Sequence, residues 1–372
     1  MQSLPYETLR LGVIGMGGFG LFATQHFLQV SDTQLIAIAG TFREQAKQAA
    51  RRFKADLLET PEELATRTDV DVIYLATPPS LHYEQAMLCL RNGKHVICEK
   101  PLAITPDQGR EMLALAKERG LVIITNLMQR YNPMIGRVQQ IIKRNLLGKP
   151  IHGFFENYAS DEGLAPTHWF WNREISGGIF IEHAVHFFDL FEYWLGAGTV
   201  VAAQRVLRPE SGIEEQVQAI VKYENDILVN FYHGFTQPGR LDRQELRIVF
   251  EHGDITLEEW VPTRLTLRGI VNEEQTQQLL DIFPGARLDI SASYGGPDRQ
   301  QRGRHKDIEA FQKIELHFGD ETNKQHLYGD LLRDFFTEQS DYLRGRVTKR
   351  KSTEENGLRS LELAYQASQM AQ

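Results

Sequence analysis

Only two cysteines, Cys89 and Cys98, occur in 372 residues, so no disulfide framework is available and a reducing compartment is expected. No apolar run approaches the roughly 18 residues that a membrane helix needs, and residues 1–8 carry no apolar leader core. Basic charge is not in excess either. The formal net charge is −8, which argues against a nucleic-acid surface, since phosphate binding requires clustered Lys and Arg. The one basic run, 344–351, is met at once by Glu354 and Glu355 and reads as a solvated loop. Repeats and low-complexity tracts are missing too. What remains is a cytoplasmic globular chain with neither membrane nor nucleic-acid partners, long enough for two domains.

Strand and helix alternate with short connections as far as residue 127. Apolar runs at 9–14, 34–39, 70–77, 95–98 and 122–125 have strand length. Helical spacing fills 19–30, 44–53, 82–92 and 105–119 between them. This order predicts a doubly wound parallel sheet with right-handed crossovers. Beyond a helix at 135–145 the pattern changes. Longer alternating segments at 151–159, 200–207, 215–223, 227–235, 244–250, 254–257 and 264–268 are separated by hairpin-type turns. One amphipathic helix, 180–195, interrupts them, and helical periodicity returns at 325–343 and 354–370. The expected architecture is α/β. A nucleotide-binding domain over 1–127 precedes an α+β domain over 128–372 with an open, largely antiparallel sheet, the C-terminal helix packing back on the first domain. Residues 271–315 are the least readable, with a helical stretch at 273–282 and a polar, Gly-rich loop at 294–305.

The first strand breaks into a Gly-Met-Gly-Gly-Phe-Gly run, setting Gly15, Gly17 and Gly20 between a strand and a helix. That is the context in which such a run binds a dinucleotide. The first glycine permits the tight turn, the second lets the backbone approach a pyrophosphate, and the third lets the helix pack close to the strand. Gly18 and Phe19 open the helix, whose unpaired N–H groups face the phosphates. The cofactor type is read one strand later. An NAD-binding chain usually places Asp or Glu about 20 residues past the glycines, on the ribose 2′-hydroxyl. Here Thr41 and Arg43 stand there, with no acid before Glu44. With no carboxylate to repel a 2′-phosphate and Arg43 able to bond one, NADP is expected, NAD being the alternative.

Further blocks follow: Ala-Thr-Pro-Pro-Ser-Leu-His at 76–82, Gly-Lys-His-Val-Ile-Cys-Glu-Lys-Pro-Leu-Ala at 93–103, and Asn126 with Arg130, Tyr131 and Pro133. Downstream stand Ser-Gly-Gly-Ile-Phe-Ile-Glu-His-Ala-Val-His-Phe-Phe-Asp at 176–189 and Gly-Leu-Arg-Ser-Leu-Glu-Leu-Ala at 357–364. In these blocks the chain resembles the glucose–fructose oxidoreductase, inositol dehydrogenase and rhizopine catabolism family of oxidoreductases. The resemblance implies a Rossmann domain followed by an open-faced α/β domain, NAD or NADP as redox cofactor, and homodimers or homotetramers through the open sheet. It implies Thr77, Pro78, His82, Glu99, Lys100, Asn126 and Arg130 at the cofactor. It also implies that His186 contacts a substrate hydroxyl and relays its proton. Glu182 and Ala184 stand where the family usually has Asp and Gly. One extra methylene moves the carboxylate by ~1 Å, which bears on turnover and substrate range.

Reducing a carbonyl requires a proton for the developing alkoxide as hydride arrives, and the reverse reaction requires a base. Lys100 follows a strand, and ligands of doubly wound sheets bind beyond the carboxyl ends of the strands. Desolvation and positive neighbours lower a lysine pKa towards neutrality, so Lys100 is the expected proton donor and acceptor, assisted by His186. On a regular helix Glu182, His186 and Asp189 share one face. Glu182 is expected at the reacting centre and the substrate, Asp189 as a brace. Tyr131, beside Arg130, is expected to hold nicotinamide or substrate, and Tyr158 and Trp171 to wall a pocket suited to a sugar, polyol or planar ring. Glu182, His183 and His186 have ligand-like spacing, yet no further Cys or His set completes a zinc site, so no metal is expected. The substrate is then a small molecule with a hydroxyl or carbonyl. Two other readings stay open: a reductase of a C=C or C=N bond, of bilin or imine type, and a non-catalytic NADP-binding regulator.

Overall fold

The computed structural model describes residues 7–40, 43–161, 163–302, 307–320 and 324–371, with Arg43 by its backbone alone. Six parallel strands form the first sheet: Leu9–Ile14 (β1), Thr33–Ala39 (β2), Asp56–Leu58 (β3), Val72–Leu75 (β4), His95–Cys98 (β5) and Ile123–Thr125 (β6). Their order is β3-β2-β1-β4-β5-β6. Every residue of β4 and β5 is buried, as happens when helices cover both faces of a parallel sheet. The sequence pattern misses β3, an edge strand of three residues, two of them exposed. The order reverses between β1 and β4, opening a crevice beyond their carboxyl ends.

The second sheet draws on Pro150–Ser160 (β7), Thr199–Leu207 (β8), Glu214–Lys222 (β9), Leu228–Gln237 (β10), Arg243–Phe250 (β11), Gly253–Glu258 (β12) and Arg264–Val271 (β13). Beyond these run Arg287–Ser293 (β14), Gln300–Arg302 (β15), Asp307–Glu309 (β16) and Gln312–Gly319 (β17). Nine strands pair in the order β14-β17-β13-β12-β11-β7-β10-β9-β8. Only β7 and β10 run parallel among them. The stretch hardest to read in the sequence is the far edge of this sheet: after the helix Glu273–Ile282, β14 pairs with β17, and β15 and β16 form a separate hairpin.

Side-chain parity decides which face of this sheet is covered. The helix Val185–Leu195 lies on the face of Phe155, Asn157, Phe231 and His233. Phe187 stacks on Phe155 with centroids 3.5 Å apart, and Phe188 and Phe191 meet Phe231 edge-on. The opposite face carries Phe154, Glu156, Tyr158, Tyr232 and Arg243. Two last helices return to the first sheet. Lys324–Leu343 stacks Phe336 on Phe27 at 4.5 Å. Glu354–Met370 crosses β6 so closely that a Cβ on Gly357 would lie 1.9 Å from Thr125 Oγ1. Among the described residues no helix is long and apolar enough to cross a membrane.

Candidate active site

The turn after β1 is built from backbone alone. Gly15 has a φ of +96°, and a Cβ there would lie 2.5 Å from the Ala76 carbonyl oxygen; at Gly20 it would lie 2.3 Å from that of Gly15. At Gly17 and Gly18 a Cβ would meet nothing within 4 Å. The helix Gly18–Phe27 has neither a side-chain cap nor an acidic residue in its first turn. Its first N–H groups are left for an anion, so this cradle fits a dinucleotide pyrophosphate. The Phe19 ring lies 5.7 Å from that of Tyr328. Thr41 and the Arg43 side chain lie outside the described residues.

On the other side of the crevice, Pro78 keeps the loop after β4 extended (φ −57°, ψ 146°), and Thr77 donates to Gln85 Oε1 at 2.7 Å. His82 is fully buried, with Nδ1 2.7 Å from the Pro101 carbonyl oxygen and Nε2 2.8 Å from that of Thr77. The resemblance implies a cofactor contact at His82. The structure instead makes this ring a clamp between the two loops that flank the crevice, because both nitrogens are taken by carbonyls.

Lys100, at the end of β5, donates from Nζ to Glu182 Oε1 at 2.5 Å and to the Glu182 carbonyl oxygen at 2.8 Å. Its side chain is 18% exposed and that of Glu182 10%, so the pair is shielded while the ammonium still opens to the cleft. Glu99, on the preceding residue, points the opposite way. Its Oε1 accepts from Tyr74 Oη (2.6 Å) and Asn126 Nδ2 (2.7 Å) in the core of the first sheet. Glu99 and Asn126 thus support the Lys100 loop from beneath. Burial raises the Glu99 pKa above its ordinary value, against the two donors and Lys100. A carboxyl with a raised folded-state pKa stabilises the fold below the unfolded value and loses that contribution as pH rises through the folded one. Glu99→Gln keeps an acceptor for both donors. Its urea-unfolding free energy is therefore expected to equal or exceed the wild type's at pH 7.5 and to fall below it towards pH 4.5.

The Glu182 block is set by two glycines with positive φ, Gly177 (+85°) and Gly178 (+92°), and by Glu214, whose Oε2 accepts from Ile179 N at 2.6 Å. The expected regular helix at 180–195 begins instead as a π turn, Phe180–Ala184, before the α-helix Val185–Leu195. Such widened turns concentrate at functional sites. Here Glu182 faces Lys100. His186, 4% exposed, has its ring 5.9 Å from Trp260 and its Nδ1 without a partner among the described residues. Burial, then the Lys100 charge, holds its pKa well below the ordinary value, so the ring is neutral. Asp189 braces the helix: Arg130 donates Nε to its Oδ2 (2.8 Å) and Nη2 to its Oδ1 (2.7 Å), with both side chains buried.

Several expected contacts lie elsewhere. Arg130 donates to Asp189 and to the Lys351 carbonyl oxygen. Tyr131 faces the helix Lys324–Leu343, where its hydroxyl donates to Glu338 at 2.5 Å. Tyr158 sits on the uncovered face of the second sheet, its ring 4.6 Å from the Arg243 guanidinium. Parity puts Asn157, not Tyr158, on the face of the Glu182 helix, and Asn157 Nδ2 is buried without a partner among the described residues. Trp171 lies with Phe170, Phe235 and the Arg208 guanidinium, one ring beyond His183. His183 packs on His233 at 5.3 Å, and burial drops its pKa to about 4. Two residues with no sequence signal complete the cleft wall. Trp260 meets both His186 and Tyr328, and Tyr328 is coupled electrostatically to Glu99 and Glu182.

Comparison with known proteins decides the affiliation. Residues 9–127 match the model of an oxidoreductase family with an NAD-binding Rossmann fold, and residues 135–256 match the Gfo/Idh/MocA C-terminal domain. The chain belongs to the Gfo/Idh/MocA family of NAD(P)-dependent oxidoreductases. Among curated members, scyllo-inositol 2-dehydrogenase (NAD(+)) of Bacillus subtilis (strain 168) is 27% identical over 191 residues, 51% of this chain and 54% of that protein. The chain thus spans about half the length of this relative. The structure of a biliverdin reductase from Synechocystis sp. PCC 6803, with biliverdin and NADP+, aligns with a TM-score of 0.72 at 18% identity, covering 98% of this chain and 99% of that one. The structure of a 3-ketoreductase from Actinomadura kijaniata, with NADP and TDP-benzene, aligns with a TM-score of 0.75 at 18% identity and 98% coverage of both chains.

Proposed function

We propose that this oxidoreductase prefers NADP and moves hydride to or from a hydroxyl or carbonyl of a sugar, polyol or cyclic small molecule, with Lys100 exchanging the proton. One observation carries this reading: the Lys100 ammonium, fixed by Glu182 through two acceptors, shares a cleft with a neutral, underbonded His186. The glycine cradle would hold the pyrophosphate, and a bound nicotinamide would supply or accept the hydride. Lys100 Nζ gives its proton to the nascent alkoxide, or takes it from the alcohol in the reverse direction. Glu182 keeps the ammonium aimed. His186, neutral and with Nδ1 unbonded, orients the substrate oxygen and relays the proton outward. Asn157 and Trp260 are placed to bound the substrate. Residues 1–127 form the cofactor domain and 128–372 the substrate domain. The uncovered sheet face, rich in Tyr, Phe and Arg, suits a homodimer or homotetramer, and the chain works in the cytoplasm.

A panel of sugars, inositols, dihydrodiols and biliverdin, assayed with NADPH and NADH or their oxidised forms, tests the proposal. Turnover is expected on a sugar or polyol, with kcat/KM higher for the phosphorylated cofactor. Turnover confined to biliverdin would reverse the substrate assignment, and equal use of both cofactors the NADP preference.

A further inference from the structure

A separate cavity of about 740 Å³ opens beside the Trp260–Tyr328 wall, lined by Pro262 and Leu327 from the two segments that carry those rings. Its floor is apolar, made by Met134, Pro262, Phe318 and Leu327. One charge stands out in it. Arg137, on the helix Pro133–Arg144, stacks its guanidinium 4.6 Å from the centroid of Phe318 and donates Nε to the Ile282 carbonyl oxygen at 3.0 Å. It forms no ion pair among the described residues, and its two terminal amino groups have no hydrogen-bond partner there. Burial lowers its pKa, and no charged neighbour offsets that effect. Two other arginines are answered by acids: the half-buried Arg208 meets Asp161 and Glu215, and the buried Arg130 meets Asp189. Asp320 and Asp330 also line this cavity, Asp330 paired with Arg333 at 2.7 Å, and its other basic side chains are answered too, Arg287 by Asp289 at 3.1 Å and His317 by Glu315 at 3.0 Å.

We infer that this cavity is a second ligand site, for a small cyclic carboxylate whose ring lies on Phe318, Met134 and Leu327 and whose oxygens pair with the Arg137 fork. A flat guanidinium held on an aromatic ring keeps its two outer N–H groups parallel, the geometry that matches a carboxylate. An apolar floor beneath a guanidinium that no acid answers selects an amphiphilic anion over a sugar, which would leave its hydroxyls unbonded on Phe318 and Met134. The site takes nothing from Lys100, Glu182 or the glycine turn and stands whatever the substrate of the main cleft.

Titration calorimetry of the full chain, saturated with NADPH, against 2-naphthoate and its uncharged isostere 2-naphthamide tests the inference. One naphthoate per chain is expected, with the amide bound about 10-fold or more weakly. Arg137→Gln should lower naphthoate affinity to the amide's level without moving amide affinity, and Arg137→Lys should restore part of it. Thermal unfolding of each variant confirms that the fold persists. Equal naphthoate affinity in wild type and Arg137→Gln would overturn the assignment. So would the absence of saturable binding.

Discussion

Replacing Lys100 by methionine is expected to lower kcat by about 10²- to 10⁴-fold while leaving the dissociation constant of NADPH within a few-fold of the wild type. Methionine keeps most of the stem and loses the ammonium, so the variant removes the proton carrier and little volume. The cofactor cradle is assembled from Gly15, Gly17, Gly18 and Gly20, at the carboxyl end of a different strand, and does not depend on Lys100. The substitution does leave Glu182 without its cation. In a carboxylate 10% exposed, that loss is felt as a modest drop in stability rather than as unfolding. Lys100→Arg separates charge from proton exchange. It keeps the cation for Glu182, yet a guanidinium does not deprotonate near neutral pH, so it is expected to restore stability and not turnover. Rapid-mixing measurement of a single turnover with pre-bound cofactor distinguishes slow chemistry from slow release. Full activity in Lys100→Met would transfer the proton to another group and defeat the mechanism.

What the sequence disclosed, and what it hid, follows from how far each feature reaches along the chain. The parallel sheet was legible because each buried strand is a short apolar run and each crossover is short. The glycine turn was legible because its sterics are local: Gly20 is crowded by Gly15 itself. Lys100 and Glu182 could both be named from motifs, but their contact spans 82 residues, and no spacing rule encodes it. Arg130 stood in a legible motif, but only the folded chain shows Asp189, 59 residues away, claiming its guanidinium. The exchange of Tyr158 for Asn157 was avoidable. The alternation across 151–159 assigns neighbours to opposite faces, and Phe155, stacked under the Glu182 helix, fixes which face counts. Trp260 and Tyr328 could not have been found, since one lies in a hairpin turn and the other on a distant helix, and only packing joins them.

Arg130→Met is expected to destabilise the fold by about 3–5 kcal/mol, because it strands the Asp189 carboxylate in the core. Asp189 is 1% exposed and receives both of its charge-assisted hydrogen bonds from this one guanidinium. Burial already raises the Asp189 pKa, and the Arg130 charge and its hydrogen bonds oppose that rise. Without Arg130 that rise grows, and the sign of the pH dependence follows. The protonated acid tolerates burial, so the variant's deficit is largest at neutral pH and shrinks as pH falls through the folded-state pKa of Asp189. Urea unfolding of wild type, Arg130→Met, Asp189→Leu and the double variant measures the coupling directly. The double variant is expected to recover much of the loss, since two apolar side chains of similar bulk can replace a buried pair. Activity separates bracing from chemistry. Asp189 holds the helix that carries His186 one turn away, so Asp189→Leu should lower kcat with little effect on NADPH binding, and the double variant should recover stability without recovering kcat in full. Additive losses in the cycle would show that the pair is a bystander, and that the position of His186 is fixed by the Phe155–Phe187 stack alone.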